Sequence, residues 1–207
     1  LPSVFVDSSA LIVYPLTQIA HLQNIVCMMI AKNKNALLSE KSLCLRENWA
    51  SERLCAHVLT ALVQSGKLRH KNGLFLSTKS EICDIAEYVK TQIFDALCAQ
   101  GIAPLAPYNL YETLDIDRQS GDRALKSLCA ARKIVRLQAN LFVESVCLSG
   151  VLKQLRDIIA HEGFVDVSLV KSHLGLSRKY AIAYLEYLDS FADIVKQNQR
   201  RMLATQG

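Results

Sequence analysis

The chain has 207 residues, of which 51% are hydrophobic, with 8 glycines, 4 prolines and a net charge of +5. This hydrophobic content excludes a disordered protein, and the scarcity of glycine and proline favours helices joined by short turns over a strand-rich sandwich. Because no apolar run reaches the 18 residues of a membrane span, we expect a cytoplasmic protein without membrane contact.

The seven cysteines and five histidines do not have the spacing of a metal site. The cysteine count is odd, no pair has CxxC spacing, and most of these residues lie in apolar runs. Small buried thiols in a reducing cytosol are therefore the expectation. Phosphate-binding loops of the GxxxxGK[ST] type and GxSxG nucleophile motifs are also missing from the sequence. We expect no metal, no cofactor and no catalytic site within this chain.

Along the chain, helices and hairpins are predicted in a repeating order. Residues 1–15 contain VFVDSSALIVYP, which is typical of a hairpin and is interpreted as the wing of a preceding, truncated module. An amphipathic helix over roughly 17–32 follows, and after a short helix a further helix is predicted after the N-cap residue Ser51. The segment 66–77 then predicts a hairpin around Lys71-Asn72-Gly73.

The same order recurs twice. DIDRQSGDRALKSL (115–128) aligns with GLSRKYAIAYLEYL (175–188) at a shift of sixty, with Asp117 and Ser177 at the N-cap position. Helices over roughly 81–100 and 148–162 precede these segments, and hairpins over 133–143 and 193–203 follow them. Long helix, short helix, helix and hairpin form a winged helix.

The fold class predicted from this order is mainly α with small β-hairpins (α+β), built as tandem winged-helix modules. Each module is a helix-turn-helix followed by a wing. We place the modules at 16–78, 79–146 and 147–207, the last being the C-terminal winged helix.

Charge is distributed unevenly along the chain, with +4 over residues 1–78, −1 over residues 79–146 and +2 over residues 147–207. In the third module, Arg178 and Lys179 occupy the first turn of a helix whose core positions are predicted to be Ala181, Leu185 and Leu188. Cations there oppose the helix macrodipole, whereas a bound phosphate would meet the free N–H groups. Tyr180, Tyr184 and Tyr187 are predicted to line its flank; packing at the core edge with a solvated rim is the alternative.

The run Ser177-Arg178-Lys179-Tyr180-Ala181, followed by LEYLD over 185–189, resembles the last winged helix of the bacterial selenocysteine-specific elongation factor. The specific part of the resemblance covers residues 174–203. That family has an N-terminal GTPase of the elongation factor Tu type and four C-terminal winged helices. The resemblance implies that the last winged helix binds an mRNA hairpin at the recoding UGA.

Carried over to this sequence, the hairpin-binding surface falls on Arg178, Lys179 and Tyr180, with Lys171 in the preceding short helix. The basic wing continues it at Lys196, Arg200 and Arg201. One departure concerns the wing turn, where Asn198-Gln199 replaces the family's Gly-Asp and Val195 stands where a second cation is common. Asparagine can still adopt the left-handed conformation of a tight turn.

The resemblance therefore implies a non-catalytic, monomeric C-terminal part of a translation factor. Its partners would be an mRNA hairpin (the selenocysteine insertion element) and, through the full-length factor, the ribosome. Two other readings of the residues stay open. One is a DNA-binding transcription regulator with tandem winged helices, and the other is a protein–protein scaffold whose charges are solvated.

Overall fold

The computed structural model of the chain describes residues 4–204, in which helices alternate with four β-hairpins. The helices are α1 (Leu16–Lys32), α2 (Glu40–Arg46), α3 (Glu52–Gln64), α4 (Ile85–Gln100), α5 (Pro107–Thr113), α6 (Arg118–Ala130), α7 (Ser145–Glu162), α8 (Val167–Leu174) and α9 (Arg178–Leu188). The strands are β1 (Val4–Asp7), β2 (Ile12–Pro15), β3 (Leu68–Lys71), β4 (Leu74–Ser77), β5 (Ile134–Gln138), β6 (Leu141–Glu144), β7 (Ile194–Gln197) and β8 (Arg200–Leu203). The predicted class of tandem winged helices is confirmed.

Each hairpin is a two-stranded antiparallel sheet of consecutive strands. The turns of the second and fourth hairpins place Asn72 and Asn198 at φ of 54° and 56°, the left-handed conformation that asparagine tolerates. Leu38 pairs with Phe75, and Val165 pairs with Arg201, as isolated bridges at the edge of these two hairpins. A single residue from the helix-turn-helix region is thereby tied to the wing in both places.

The third helix of each module begins directly after its predicted N-cap residue. The hydroxyl of Ser51 accepts a hydrogen bond from the N–H of Leu54 at 3.2 Å. The carboxylate of Asp117 accepts from the N–H groups of Gln119 and Ser120, both at 3.0 Å. These bonds satisfy N–H groups that have no partner inside the helix and so fix where it starts.

Two of the long helices begin at positions other than those predicted. Helix α4 starts at Ile85 rather than near residue 81, because the carboxylate of Asp84 accepts hydrogen bonds from the N–H groups of Ala86 and Glu87. Helix α7 starts at Ser145 rather than near residue 148, because the carboxylate of Glu144 accepts from the N–H groups at 146 and 147. Acidic side chains at helix starts thus decide both boundaries.

By its packing the chain forms two compact units. One comprises the chain through Val89 together with Tyr111–Gly121, and the other comprises Lys90–Leu110 together with the chain after Gly121. The core of the first unit is built mainly from buried side chains of α1, α2 and α3. The core of the second is built mainly from buried side chains of α7, α8 and α9.

Within the first unit, Asp115 is bonded to residues around α1 and α2. Its carboxylate lies 2.7 Å from Nη1 of Arg46 and accepts a bond from the side-chain amide of Asn33 at 3.3 Å. Its backbone carbonyl accepts from the N–H of Leu37 at 2.9 Å. Asp117 caps helix α6, whereas Asp115 neutralises the charge of Arg46.

Gly121 in α6 is predicted to resist replacement. A Cβ at this position would overlap the ring of Tyr111, which is buried. Alanine is a better helix former than glycine by about 1 kcal/mol, but overpacking costs about 1–3 kcal/mol. We therefore expect Gly121→Ala to lower the free energy of unfolding, as measured by chemical denaturation.

Gly150 in α7 provides the matched control for this substitution. No atom would lie within 4 Å of a Cβ at this exposed position. Gly150→Ala should therefore raise the free energy of unfolding by up to about 1 kcal/mol. If both substitutions changed the free energy of unfolding equally, Gly121 would not be required for close packing against Tyr111.

Candidate nucleic-acid interface

The start of α9 combines exposed cations with uncapped backbone. Arg178 and Lys179 are both exposed on its first turn. Within residues 4–204, the side chain of the N-cap residue Ser177 makes no capping hydrogen bond, in contrast to the equivalent Ser51 and Asp117. The first N–H groups of α9 therefore keep their capacity to bind an anion.

A groove of about 710 Å³ lies beside this helix start. It is lined by residues of α8, the first residue of α9 and the turn of the last wing: Asp166, Val167, Ser168, Lys171, Ser172, Arg178 and Gln199. The structure thus brings two of the predicted RNA-binding residues, Lys171 and Arg178, to one concavity. A tight turn at Gly175, with φ of 65°, makes this possible by reversing the chain between the two helices.

The buried face of α9 holds it in place. Ala181, Leu185 and Leu188 are buried, as predicted. Tyr184 is also fully buried, so its predicted place on the flank is wrong. Its hydroxyl donates a 2.8 Å hydrogen bond to the carbonyl of Ile102, and its burial raises the pKa of the phenol well above the usual range.

Tyr180, like Tyr184, is held by the segment between α4 and α5. Its half-buried side chain donates a 2.7 Å hydrogen bond from the hydroxyl to the carbonyl of Pro104. The ammonium of Lys179 lies 5.6 Å from the centre of its ring. The hydroxyl is thus occupied inside the protein, so we expect Tyr180 to anchor α9 and to leave RNA contact to its cationic neighbours.

Arg201 serves the protein interior rather than the surface. The residue is 5% exposed, and its guanidinium forms a two-pronged pair with Asp189, with Nε 2.8 Å and Nη2 2.9 Å from the carboxylate oxygens. Its Nη1 donates to the carbonyl of Gln199 at 3.2 Å. Because these partners use all three nitrogens, we remove Arg201 from the proposed RNA-contacting residues.

Asp189 links this pair to the rest of the wing. Burial by itself raises the pKa of its carboxyl, but hydrogen bonding and charge from Arg201, with a smaller effect of Lys196, bring the pKa below its usual value. The ammonium of Lys196 lies 3.4 Å from the carboxylate and stays half-exposed. Lys196 therefore remains available at the surface next to the pair.

The last predicted cation, Arg200, is exposed and stacks on an aromatic ring. The centre of its guanidinium lies 4.0 Å from the centroid of the Phe164 ring. Phe164 follows α7 and was not singled out from the sequence. The sequence contained one indication of its position: the next residue, Val165, is apolar, as suits the residue that pairs with Arg201 of the wing.

Within residues 4–204, no three His, Cys, Asp or Glu side chains are grouped so that they could hold a metal ion. None of the helices in that range is long and apolar enough to cross a membrane.

Comparison with known proteins matches the segment that contains α8, α9 and the last wing to a family. Residues 157–203 match the family model described as the winged helix of elongation factor SelB. The resemblance to the bacterial selenocysteine-specific elongation factor is thereby confirmed for this segment. None of the curated proteins matches the chain.

The solved structures similar to this chain include the following two. One is the mRNA-binding domain of elongation factor SelB from E. coli in complex with SECIS RNA, with 19% identity and a TM-score of 0.49 over 56% of this chain and 96% of that chain. The other is the bacterial selenocysteine-specific elongation factor EF-Sec, with 17% identity and a TM-score of 0.42 over 98% of this chain. The chain spans 32% of the length of EF-Sec.

Proposed function

We propose that this chain, with its SelB-type winged helix at residues 157–203, is the mRNA-hairpin-binding C-terminal part of a selenocysteine-specific elongation factor. Its third module would bind the selenocysteine insertion element and so hold the factor at the recoding UGA. The GTPase and the contact with the ribosome belong to the full-length factor. The chain itself would act by binding, as a monomer and without a cofactor.

One observation carries the proposal. The segment that matches the family also contains three exposed cations, Lys171, Arg178 and Lys179, around the uncapped start of α9. Cations at a helix start are unfavourable by about 0.3–1 kcal/mol unless an anion is bound there. A phosphate of the RNA backbone would meet both the side chains and the free N–H groups.

The shape of RNA determines how such a surface is used. The major groove of an A-form helix is too narrow and deep for α9 to enter, so duplex contacts are made through phosphates. Sequence is then recognised at unpaired bases of a loop or bulge. Ser168, Ser172 and Gln199 line the groove with hydrogen-bonding groups that fit the edges of such a base.

We also propose that the chain is divided into three winged-helix modules. Residues 16–78 and 79–146 each contain one full set of three helices and a hairpin, and residues 147–207 contain the third set except for the first two residues of α7. Residues 1–15 are assigned to the wing of a preceding module because β2 ends at Pro15 and α1 begins at Leu16. In the same way, β6 ends at Glu144 and α7 begins at Ser145.

The proposal is tested by titrating the 207-residue chain with a labelled SECIS hairpin and with duplex DNA of the same length. Affinity should favour the hairpin and should fall with rising salt. The slope of log K against log salt should be about −0.7 to −0.9 per phosphate contacted, hence about −2 to −3 for three cations. Tighter binding of duplex DNA would instead support a transcription regulator, and binding of neither nucleic acid would support a scaffold.

A further inference from the structure

The outer face of the last wing is open, although the equivalent face of other wings is covered. In the strand pair β7–β8, Ile194 and Arg201 point to the buried side. Residues alternate along a strand, so Val195 and its cross-strand partner Met202 point to the opposite side. Val195 is 40% exposed and Met202 is half-buried.

The equivalent pairs in two other hairpins belong to a hydrophobic core. Val135 and Val143 pair across β5–β6 and pack into the core built by α7, α8 and α9. Phe5 and Tyr14 pair across β1–β2 and pack into the core built by α1, α2 and α3. This cross-strand pair therefore packs against a core in those two hairpins. In the last wing, the equivalent pair of Val195 and Met202 faces solvent.

The stacked pair of Arg200 and Phe164 lies on this same open face. Arg200 is two residues from Met202 along β8 and points to the same side. One side of its guanidinium covers the ring of Phe164, and no carboxylate within residues 4–204 forms an ion pair with it. Asp166, which is close in sequence to Phe164, is engaged at the start of α8, where it accepts from the N–H of Leu169 at 2.9 Å.

We propose that this wing face, defined by Phe164, Val195, Arg200 and Met202, is a stacking platform for unpaired RNA nucleotides that flank the hairpin. The inference rests on the proposed function and adds a second contact surface to it. A guanidinium already stacked on an aromatic ring is held flat, so its free side can stack on a base while its edge donates to phosphate. The apolar pair beside it covers a neighbouring base.

Charge favours RNA over a protein partner as the occupant. The face presents one cation without a protein counter-ion next to a small apolar area, which fits a chain that alternates phosphates with aromatic bases. A tight protein interface would require a larger apolar core.

Two RNAs that differ only in unpaired nucleotides test the platform. The SECIS hairpin is compared in blunt form and with a tail of about ten uridines on its 5′ or 3′ strand, a length within the site size of single-strand-binding surfaces. One of the tails should raise the affinity of the native chain about tenfold. Arg200→Lys, which keeps the charge but loses the flat stacking surface, and Phe164→Leu, which keeps packing but loses the ring, should abolish this gain.

Control measurements separate this inference from the proposed function. Arg178→Ala should weaken binding of the blunt and tailed hairpins by the same factor, and Phe164→Leu, which lies outside the predicted hairpin-binding residues, should bind the blunt hairpin as the native chain does. If neither tail increases affinity, or if the gain survives both substitutions on the wing face, the platform is wrong while hairpin binding stands.

Free oligouridine serves as a third probe. Its weak binding should disappear in Arg200→Lys, and unchanged binding would overturn the platform even if the hairpin is not bound.

Discussion

Replacing Arg178 and Lys179 together by alanine is expected to weaken binding of the SECIS hairpin about a hundredfold. Each side chain that contacts RNA contributes about 1–3 kcal/mol, and both of these are exposed beside the uncapped start of α9. Since neither takes part in the core, the fold should be unaffected. The salt slope should also become shallower by about 1.4–1.8, because two phosphate contacts are lost.

Fluorescence anisotropy at several salt concentrations measures both effects. The matched control is Lys41→Ala combined with Lys153→Ala, which removes the same charge from exposed positions on α2 and α7. This control should change affinity less than threefold, since neither lysine lines the groove beside α9 and exposed charges outside the site are screened by salt. Equal losses in the two double variants would show that net charge alone drives binding and would refute the assigned site.

Replacing Asp189 by asparagine is expected to lower the free energy of unfolding by about 3–5 kcal/mol. The side chain of Arg201 is 6% exposed and its paired carboxylate 22% exposed, so the substitution leaves a guanidinium charge in the interior without its counter-ion. Such a loss is a large fraction of the total stability of a typical domain. Chemical denaturation at neutral pH, followed by circular dichroism, measures it.

The same pair predicts an acid-dependent loss of stability. Because the pKa of Asp189 is lower in the folded chain than in the unfolded chain, its contribution is fully present above the unfolded value of about 3.9. The contribution is lost as the pH falls through the folded pKa. Asp189→Asn should therefore show a smaller decrease of stability with falling pH than the native chain.

Asp193 offers the control for the loss of stability at neutral pH. It pairs with Arg156 at 3.0 Å, but its side chain is 50% exposed, so the pair is screened by solvent. Asp193→Asn should change stability much less than Asp189→Asn does. A comparable loss in the two variants would mean that burial of the Arg201 pair is not what stabilises the wing.

The order of elements could be predicted because the signals are local. Capping residues such as Ser51 and Asp117, the apolar spacing of α9 and the turn at Asn72-Gly73 each act within a few residues. They therefore recur visibly along the chain. The start of α7 was missed because Glu144, unlike Ser or Asp, is not a preferred cap.

The chemistry of the candidate site could be predicted only in part. Exposure of Arg178 and Lys179 follows from the helical period, but the roles of Tyr180 and Arg201 depend on distant partners. Tyr180 bonds a carbonyl 76 positions away in the chain, and Arg201 pairs with an acid 12 positions away. Neither helical nor strand periodicity contains that information, so a buried arginine and an exposed one look identical in the sequence.

The two tyrosine hydroxyls of α9 also have a mechanical consequence. Tyr180 and Tyr184 lie one helical turn apart and hold the carbonyls of Pro104 and Ile102 in the segment that joins α4 to α5. Under the proposed function, tension applied to α9 by a bound mRNA would therefore not be absorbed by the last winged helix alone. It would pass through two hydrogen bonds into residues 102–104, so that a pull on the message would load the chain upstream of α5.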